Sequence, residues 1–321
     1  MSFGQHPIGR RKLLMGAAAL GAGVTQIGRG DAAWAVGAGR RPTATASRSV
    51  GPYDVIALYD ATGPFFTTRQ DAFPAATDAD WQRARRLDPG AFGPDDGWNL
   101  DFRCYAVRRP TGRYVLVDTG VGPAGSPASS WAPVPGHLPE RLAEAGIDPA
   151  DIDTVVLTHV HGDHIGWSVT PAGVPVFGNA RYVVQHAEIA ALEAAGSGLV
   201  AYLIEPLRRT GQLHEVTGRT ALFGAGPAGR YGGQVTVLPT PGHTPGHQSV
   251  LVAHDRRQLV VTGDLLVHAV QLVNPDVGYR YEDDQEVARR SRRALLAEAG
   301  EHSAVLATAH LKQPFVAAHR P

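Results

Sequence analysis

The stretch Thr158-His159-Val160-His161-Gly162-Asp163-His164 constrains this chain more than any other part of it. Three imidazoles and a carboxylate fall within six residues, at a spacing that neither a helical face nor an alternating strand face presents together. An apolar run at 154–158 leads into His159, so the segment reads as a strand end turning into a helix, with Gly162 and Gly166 permitting the tight backbone. Imidazole and carboxylate together suit zinc, manganese, ferrous iron or cobalt. The single cysteine, Cys104, permits neither an internal disulfide nor a thiolate cluster, which disfavours a purely structural zinc site.

Three further segments are apolar strands that deliver a polar residue into a turn. Val115-Leu116-Val117-Asp118 does so with Asp118, Val260-Val261-Thr262-Gly263-Asp264 with Asp264, and Ala307-Thr308-Ala309-His310 with His310. A fourth, Pro241-Gly242-His243-Thr244-Pro245-Gly246-His247, is a turn carrying His243 and His247. Hydrophobic patterning predicts strands at 55–59, 102–107, 114–118, 154–158, 182–184, 234–238, 248–253, 259–262 and 304–307. Helices are expected at 80–87, 138–146, 187–195, 202–209 and 284–300. Strands and helices in two similar halves imply a layered α/β sandwich with helices over both sheets.

Residues 1–35 read as an address. Arg10-Arg11-Lys12 precedes a weakly apolar, Ala- and Gly-rich run, and Ala33-Trp34-Ala35 offers a cleavage site, the pattern of a twin-arginine-type signal peptide. The expectation is export of the precursor by the twin-arginine machinery to the periplasm or the outside of the cell. Residues 36–51 lack periodicity and read as a linker, which leaves 52–321 as one catalytic domain. Thirty Lys+Arg against thirty Asp+Glu leave no basic face for nucleic acid. Thirty-eight Gly and 24 Pro interrupt the apolar runs, so no stable membrane insertion is expected. Between 62 and 99 the chain is dense in Pro, Gly and aromatics, among them Phe65, Phe66, Phe73, Trp81, Phe92 and Trp98. These rings either pin a long loop to the body or wall a substrate pocket; both readings stay open.

The five chemistry-bearing segments, in this order and over nearly all of 52–321, resemble the metallo-β-lactamase fold superfamily. The resemblance implies a four-layer αββα sandwich and two divalent metal ions, zinc before manganese, iron or cobalt. It implies His159, His161 and His243 as ligands of the first ion, and Asp163, His164 and His310 as ligands of the second. Asp264 would bridge the two ions, while Asp118 and His247 would orient ligands rather than bind metal. Two such ions lower the pKa of a shared water, so a bridging hydroxide rather than a serine would attack the substrate, with Asp163 and Asp264 as the catalytic carboxylates. No Gly-x-Ser-x-Gly elbow competes with that reading.

Flavodiiron members place Glu where His161 stands, and metallo-β-lactamases proper lack the bridging Asp that is Asp264 here. The family's nucleases carry basic arms absent from this chain, and its persulfide dioxygenases use one iron with fewer ligands. What remains is hydrolysis of a small-molecule lactone or carboxylic ester, with a phosphotriester as the alternative and a non-catalytic metal-binding scaffold as a distant one. The run Asp264-Leu265-Leu266-Val267-His268-Ala269-Val270-Gln271, Glu282-Asp283-Asp284 and Pro314-Phe315 are similar to methyl-parathion-hydrolase-type and acyl-homoserine-lactonase-type members. The lactonase pattern has a Tyr where Val267 stands, leaving Tyr279 or Tyr281 as candidate substitutes. Expected pocket residues are Phe65, Phe66, Trp98, Trp167 and His268. A homodimer is one open state of assembly.

Overall fold

The computed structural model describes residues 46–94, 96–224 and 233–318; the expected leader and the first part of the expected linker lie outside the described residues. Among the described residues two sheets form. The first takes its strands in chain order: β1 (Ser47–Val50), β2 (Tyr53–Pro64), β3 (Asn99–Arg108), β4 (Tyr114–Val117), β5 (Ile152–Val156), β6 (Arg181–Gln185) and β7 (Leu213–Val216). β1 to β4 pair antiparallel, and β4 to β7 run parallel. The second sheet comprises β8 (Thr220–Phe223), β9 (Gly233–Pro239), β10 (Gln248–His254), β11 (Arg257–Val261), β12 (Val305–Ala307) and β13 (Phe315–Ala317), with adjacent strands paired in that order. Only β11 and β12 run parallel within it.

Side-chain alternation makes the layers. In β4, Val115 and Val117 join the core between the sheets, while Leu116 points to the opposite face. In β10, Val250 and Val252 face the same inter-sheet core, and Leu251 and Ala253 turn outward. The outer face of the first sheet is covered by helices α3 (Leu138–Glu144) and α5 (His186–Ala194), through Leu138, Leu142 and Ile189. Helix α8 (Gln285–Glu301) covers the second sheet through Leu295, Leu296 and Ala299. The result is the expected four-layer α/β/β/α sandwich. The remaining α-helices are α1 (Arg69–Ala72), α2 (Asp78–Leu87), α4 (Gly162–Ile165), α6 (Glu205–Arg209) and α7 (Ala269–Val273). No helix among the described residues is long and apolar enough to cross a membrane.

The structure departs from the sequence reading at β1. Residues 47–50 were assigned to the linker, yet Ser47 pairs with Ile56 and Val50 with Tyr53 across a turn at Gly51, whose φ of 58° a glycine tolerates. Only Val50 of this strand is buried, so no alternation marks it in the sequence. The strands that carry chemistry matter most. β4, β5, β9, β11 and β12 all point their C-terminal ends at one edge of the sandwich, and every motif lies in the loop that follows one of them.

Candidate metal centre

The loop after β5 supplies His159 and His161, and helix α4 supplies Asp163 and His164. His243 comes from the turn between β9 and β10, Asp264 follows β11, and His310 follows β12. The structure brings all seven together. His159 Nε2 lies 2.9 Å from His161 Nδ1, and His243 Nε2 lies 3.0 Å from the same atom. Asp163, His164 and His310 form the second group, with His164 Nε2 3.3 Å and His310 Nε2 3.6 Å from Asp163 Oδ2.

Asp264 spans the two groups with one oxygen on each side. Its Oδ1 lies 3.2 Å from His164 Nε2 and 3.0 Å from His310 Nε2. Its Oδ2 lies 3.3 Å from His243 Nε2 and 3.9 Å from His159 Nε2. Six of the seven residues are buried; His161 is partly exposed.

Three of the five candidate ligand rings, those of His159, His164 and His310, are turned by a partner on the far side. A carboxylate only accepts, so His164 Nδ1 donates to Asp118 Oδ2 at 2.8 Å, which leaves its Nε2 lone pair facing the centre. Thr158 Oγ1 donates to that Asp118 oxygen at 2.9 Å and therefore accepts from His159 Nδ1 at 3.0 Å. His310 Nδ1 donates to the Asp101 carbonyl at 2.8 Å. Asp118 itself adopts a left-handed φ of 61°, a conformation costly for a non-glycine residue. It is held there by the Thr158 N–H, which donates to its Oδ1 at 2.7 Å. His247 binds nothing in the centre: its Nδ1 donates to Thr240 O at 3.0 Å, and its Nε2 accepts the Asp264 N–H at 3.0 Å. Gly263, at φ 54°, packs so close that a Cβ there would stand 2.7 Å from that Nε2.

The electrostatics ask for a cation. Burial, reinforced by neighbouring imidazoles, pushes His159 and His243 well below the ordinary histidine range, which keeps their lone pairs free. Burial also presses on His164 and His310, but Asp163 and Asp264 outweigh it and raise both. Asp264 is itself held well below the ordinary carboxylate range, because His310, His164 and His243 overcome its desolvation. Burial, helped by the neighbouring His164 and His161 and opposed by Asp264, pushes His247 down to about 4. His164 Nε2 and Asp264 Oδ1 are buried without a hydrogen-bond partner, although burying such atoms costs about 1–3 kcal/mol each. Nitrogen and carboxylate donors, converging with unsatisfied lone pairs and no sulfur, fit divalent cations of the zinc, manganese, iron or cobalt kind. Such binding would displace protons from His164 and His310, so affinity falls as pH falls.

One expectation follows for Asp118. In Asp118→Asn an amide N–H2 can face His164 Nδ1, which moves the ring proton to Nε2 and blocks that lone pair. Metal affinity should drop about 10–100-fold, as read by chelator competition; unchanged affinity would refute this orienting role.

The pocket residues expected from sequence separate into two sets. Phe65 and Phe66 join a cluster with Trp131, Tyr279 and Tyr281, at centroid distances from 4.1 to 6.4 Å between neighbouring rings. Tyr279 lies parallel to His243 at 6.0 Å, and Phe102 stands edge-on to His310 at 5.5 Å, so this cluster borders both groups of ligands. Trp131 and Phe102 were missed, since no motif marks them. Trp98 is buried behind Phe65. His268 sits inside a box of Phe73, Trp81, Phe92 and Trp98, where its Nδ1 accepts the Val270 N–H and caps α7. Trp167 packs in the helix-covered core of the first sheet, with its Nε1 donating to Asp60 Oδ1 at 3.3 Å, apart from the aromatic cluster.

With this geometry in view, residues 103–310 match the model of the metallo-beta-lactamase superfamily. An N-acyl homoserine lactonase, AiiB, of Agrobacterium fabrum is 42% identical over 88 residues, 24% of this chain and 30% of that protein. An N-acyl homoserine lactonase of Bacillus cereus is 26% identical over 184 residues, 52% of this chain and 64% of that one. The chain thus spans less than two thirds of the length of these curated relatives. Among solved structures, the hydrolase AbOPH of the beta lactamase superfamily superposes with a TM-score of 0.71 at 21% identity, covering 88% of this chain and 95% of that one. AidC, a dizinc quorum-quenching lactonase, superposes with a TM-score of 0.62 at 21% identity, covering 84% and 91%.

Proposed function

The chain belongs to the metallo-beta-lactamase superfamily, and from that premise we propose that it is a dinuclear-metal-dependent hydrolase of small esters, with lactones as the favoured class. The observation that carries this reading is Asp264, whose two oxygens each face a separate group of convergent ligand atoms. Two divalent ions held there, zinc in the first place, would polarise a substrate oxygen and lower the pKa of a water shared between them.

The chain's own residues supply positioning and a dry wall. Thr158, Asp118 and the Asp101 carbonyl fix the ring tautomers, and the His247 ring holds the backbone of Asp264. Phe65, Trp131 and Tyr279 line one flank of the centre. Phe66 and Tyr281 continue that flank outward, 57% and 36% exposed, and meet at 5.4 Å. Exposed rings beside a polar floor suit a substrate with one reactive ester and one apolar arm. The lactonase names of several relatives support a lactone over a phosphotriester.

The test is a hydrolysis panel on metal-loaded and chelated protein, with acyl lactones of graded length, aryl esters, a paraoxon-type triester and a β-lactam. Lactone turnover that disappears on chelation supports the reading, whereas a preference for the triester overturns its substrate assignment. An apolar arm gains about 0.8 kcal/mol per buried CH2, close to fourfold per methylene. Removing Phe66 and Tyr281 together (F66A/Y281A) should therefore raise KM for long acyl chains and leave kcat on short ones near the parent value. Equal losses at every chain length would exclude these rings as the wall for that arm.

A further inference from the structure

Glu188 belongs to no motif, yet it is buried on α5 at 2% exposure. Its Oε1 accepts the Val160 N–H at 2.9 Å, between His159 and His161. Its Oε2 accepts the Gly246 N–H at 2.9 Å, in the turn that carries His243 and leads into His247. One carboxylate thus ties a loop of the first sheet to a loop of the second, behind the place where His161 Nδ1 and His243 Nε2 come within 3.0 Å.

The fit is close. A Cβ on Gly246 would lie 2.1 Å from Glu188 N and 2.5 Å from its Cα, so the turn sits against α5 as nearly as two backbones can approach. The loops also meet lower down, where Gln248 N donates to Thr158 O at 2.8 Å, but that contact lies at the strand base rather than beside the rings. The second ligand group is held by other partners, His164 by Asp118 and His310 by the Asp101 carbonyl.

We propose that Glu188 is a positioning residue for the first metal ion alone, setting the distance between the His159–His161 loop and the His243 turn. This rests on the dinuclear reading above. Without the carboxylate the two N–H groups have no acceptor, the loops relax apart, and His159, His161 and His243 no longer converge. Asp163, His164 and His310 keep their supports.

The experiment measures metal stoichiometry and stepwise affinity in the full chain, with zinc under chelator competition and with cobalt absorption as the signature of each site. Two equivalents are expected in the parent protein. In Glu188→Ala one equivalent should weaken about 10–100-fold while the other is unchanged. Glu188→Gln keeps one acceptor and should show a smaller loss at the same site. Both equivalents weakening together, in step with melting temperature, would overturn the proposal by making Glu188 a general structural residue; two unchanged equivalents would overturn it as well. If the alanine variant does not fold, the glutamine variant is read by the same criteria. A parent protein without two equivalents would sink the dinuclear reading itself and this inference with it, whereas failure in the variants alone removes only the role of Glu188.

Discussion

Asp264→Ala should yield a folded protein that no longer holds two metal equivalents, with kcat/KM falling by more than the roughly 10–100-fold that loss of an outer partner costs. The reason lies in its geometry. Asp264 faces both groups of ligands, within 3.0–3.9 Å of four ring nitrogens. Removing it leaves three imidazoles on one side, and a carboxylate with two imidazoles on the other, with no shared carboxylate between them. Asp264→Asn, which retains one oxygen, should fall between the parent and the alanine variant. Elemental analysis with steady-state kinetics decides the matter: two tightly held ions and full activity in the alanine variant would remove Asp264 from the role of bridge.

Arg292→Ala is expected to be the most damaging substitution outside the centre. The Arg292 side chain is fully buried in α8 and pairs with the equally buried Glu282 at 2.7 Å. It also donates to the carbonyls of Pro275 at 3.0 Å, Val277 at 3.1 Å and Leu265 at 3.3 Å. Glu282 in turn accepts the Tyr279 N–H at 3.0 Å, so one guanidinium holds the segment that presents Tyr279 to His243 and the residue following Asp264. Leaving a buried carboxylate without its partner costs about 3–5 kcal/mol, a melting-point drop on the order of 10 °C for a chain of this size.

A pH signature separates this cause from simple loss of packing. Burial already holds Glu282 above its ordinary 4.5 even with Arg292 beside it, and the substitution raises it further. Above 4.5 and up to the folded value, the native state binds more protons than the unfolded one, so stability falls as pH rises through that window. The melting deficit of the variant relative to the parent should therefore be smaller at pH 5 than at pH 8. A deficit independent of pH would point to lost packing, and the double variant R292M/E282L should recover part of the loss.

The candidate ligands were legible because they sit in short turns that close apolar runs, such as 154–158 before His159 or Val260-Val261 before Asp264. The strands carrying them were legible for the same reason. Edge strands β1, β7 and β8 were not, since each is short and bears exposed or half-buried residues with little alternation. Glu188 was invisible because it serves backbone N–H groups, which leave no trace in residue spacing. Arg292 sits among Arg289, Arg290 and Arg293 on one helix, and only the fold shows which of the four turns inward. Trp167 and His268 follow the ligand-bearing motifs closely in the chain; the fold sets Trp167, half-buried, against the helix-covered core of the first sheet and His268 inside an aromatic box.

The order of the strands carries a consequence for how such a molecule comes into being. Strands β1 to β7 use residues 47–216 and β8 to β13 use 220–317, so each sheet is one continuous stretch of chain. Each of the two ligand groups draws on both stretches, across separations of 82 residues between His161 and His243 and of 147 between Asp163 and His310. Contacts so distant along the chain form late and slowly in folding. During synthesis the first stretch emerges carrying His159, His161, Asp163 and His164, before His243, Asp264 and His310 exist to face them. The candidate centre is therefore completed in a single event, the docking of one half on the other.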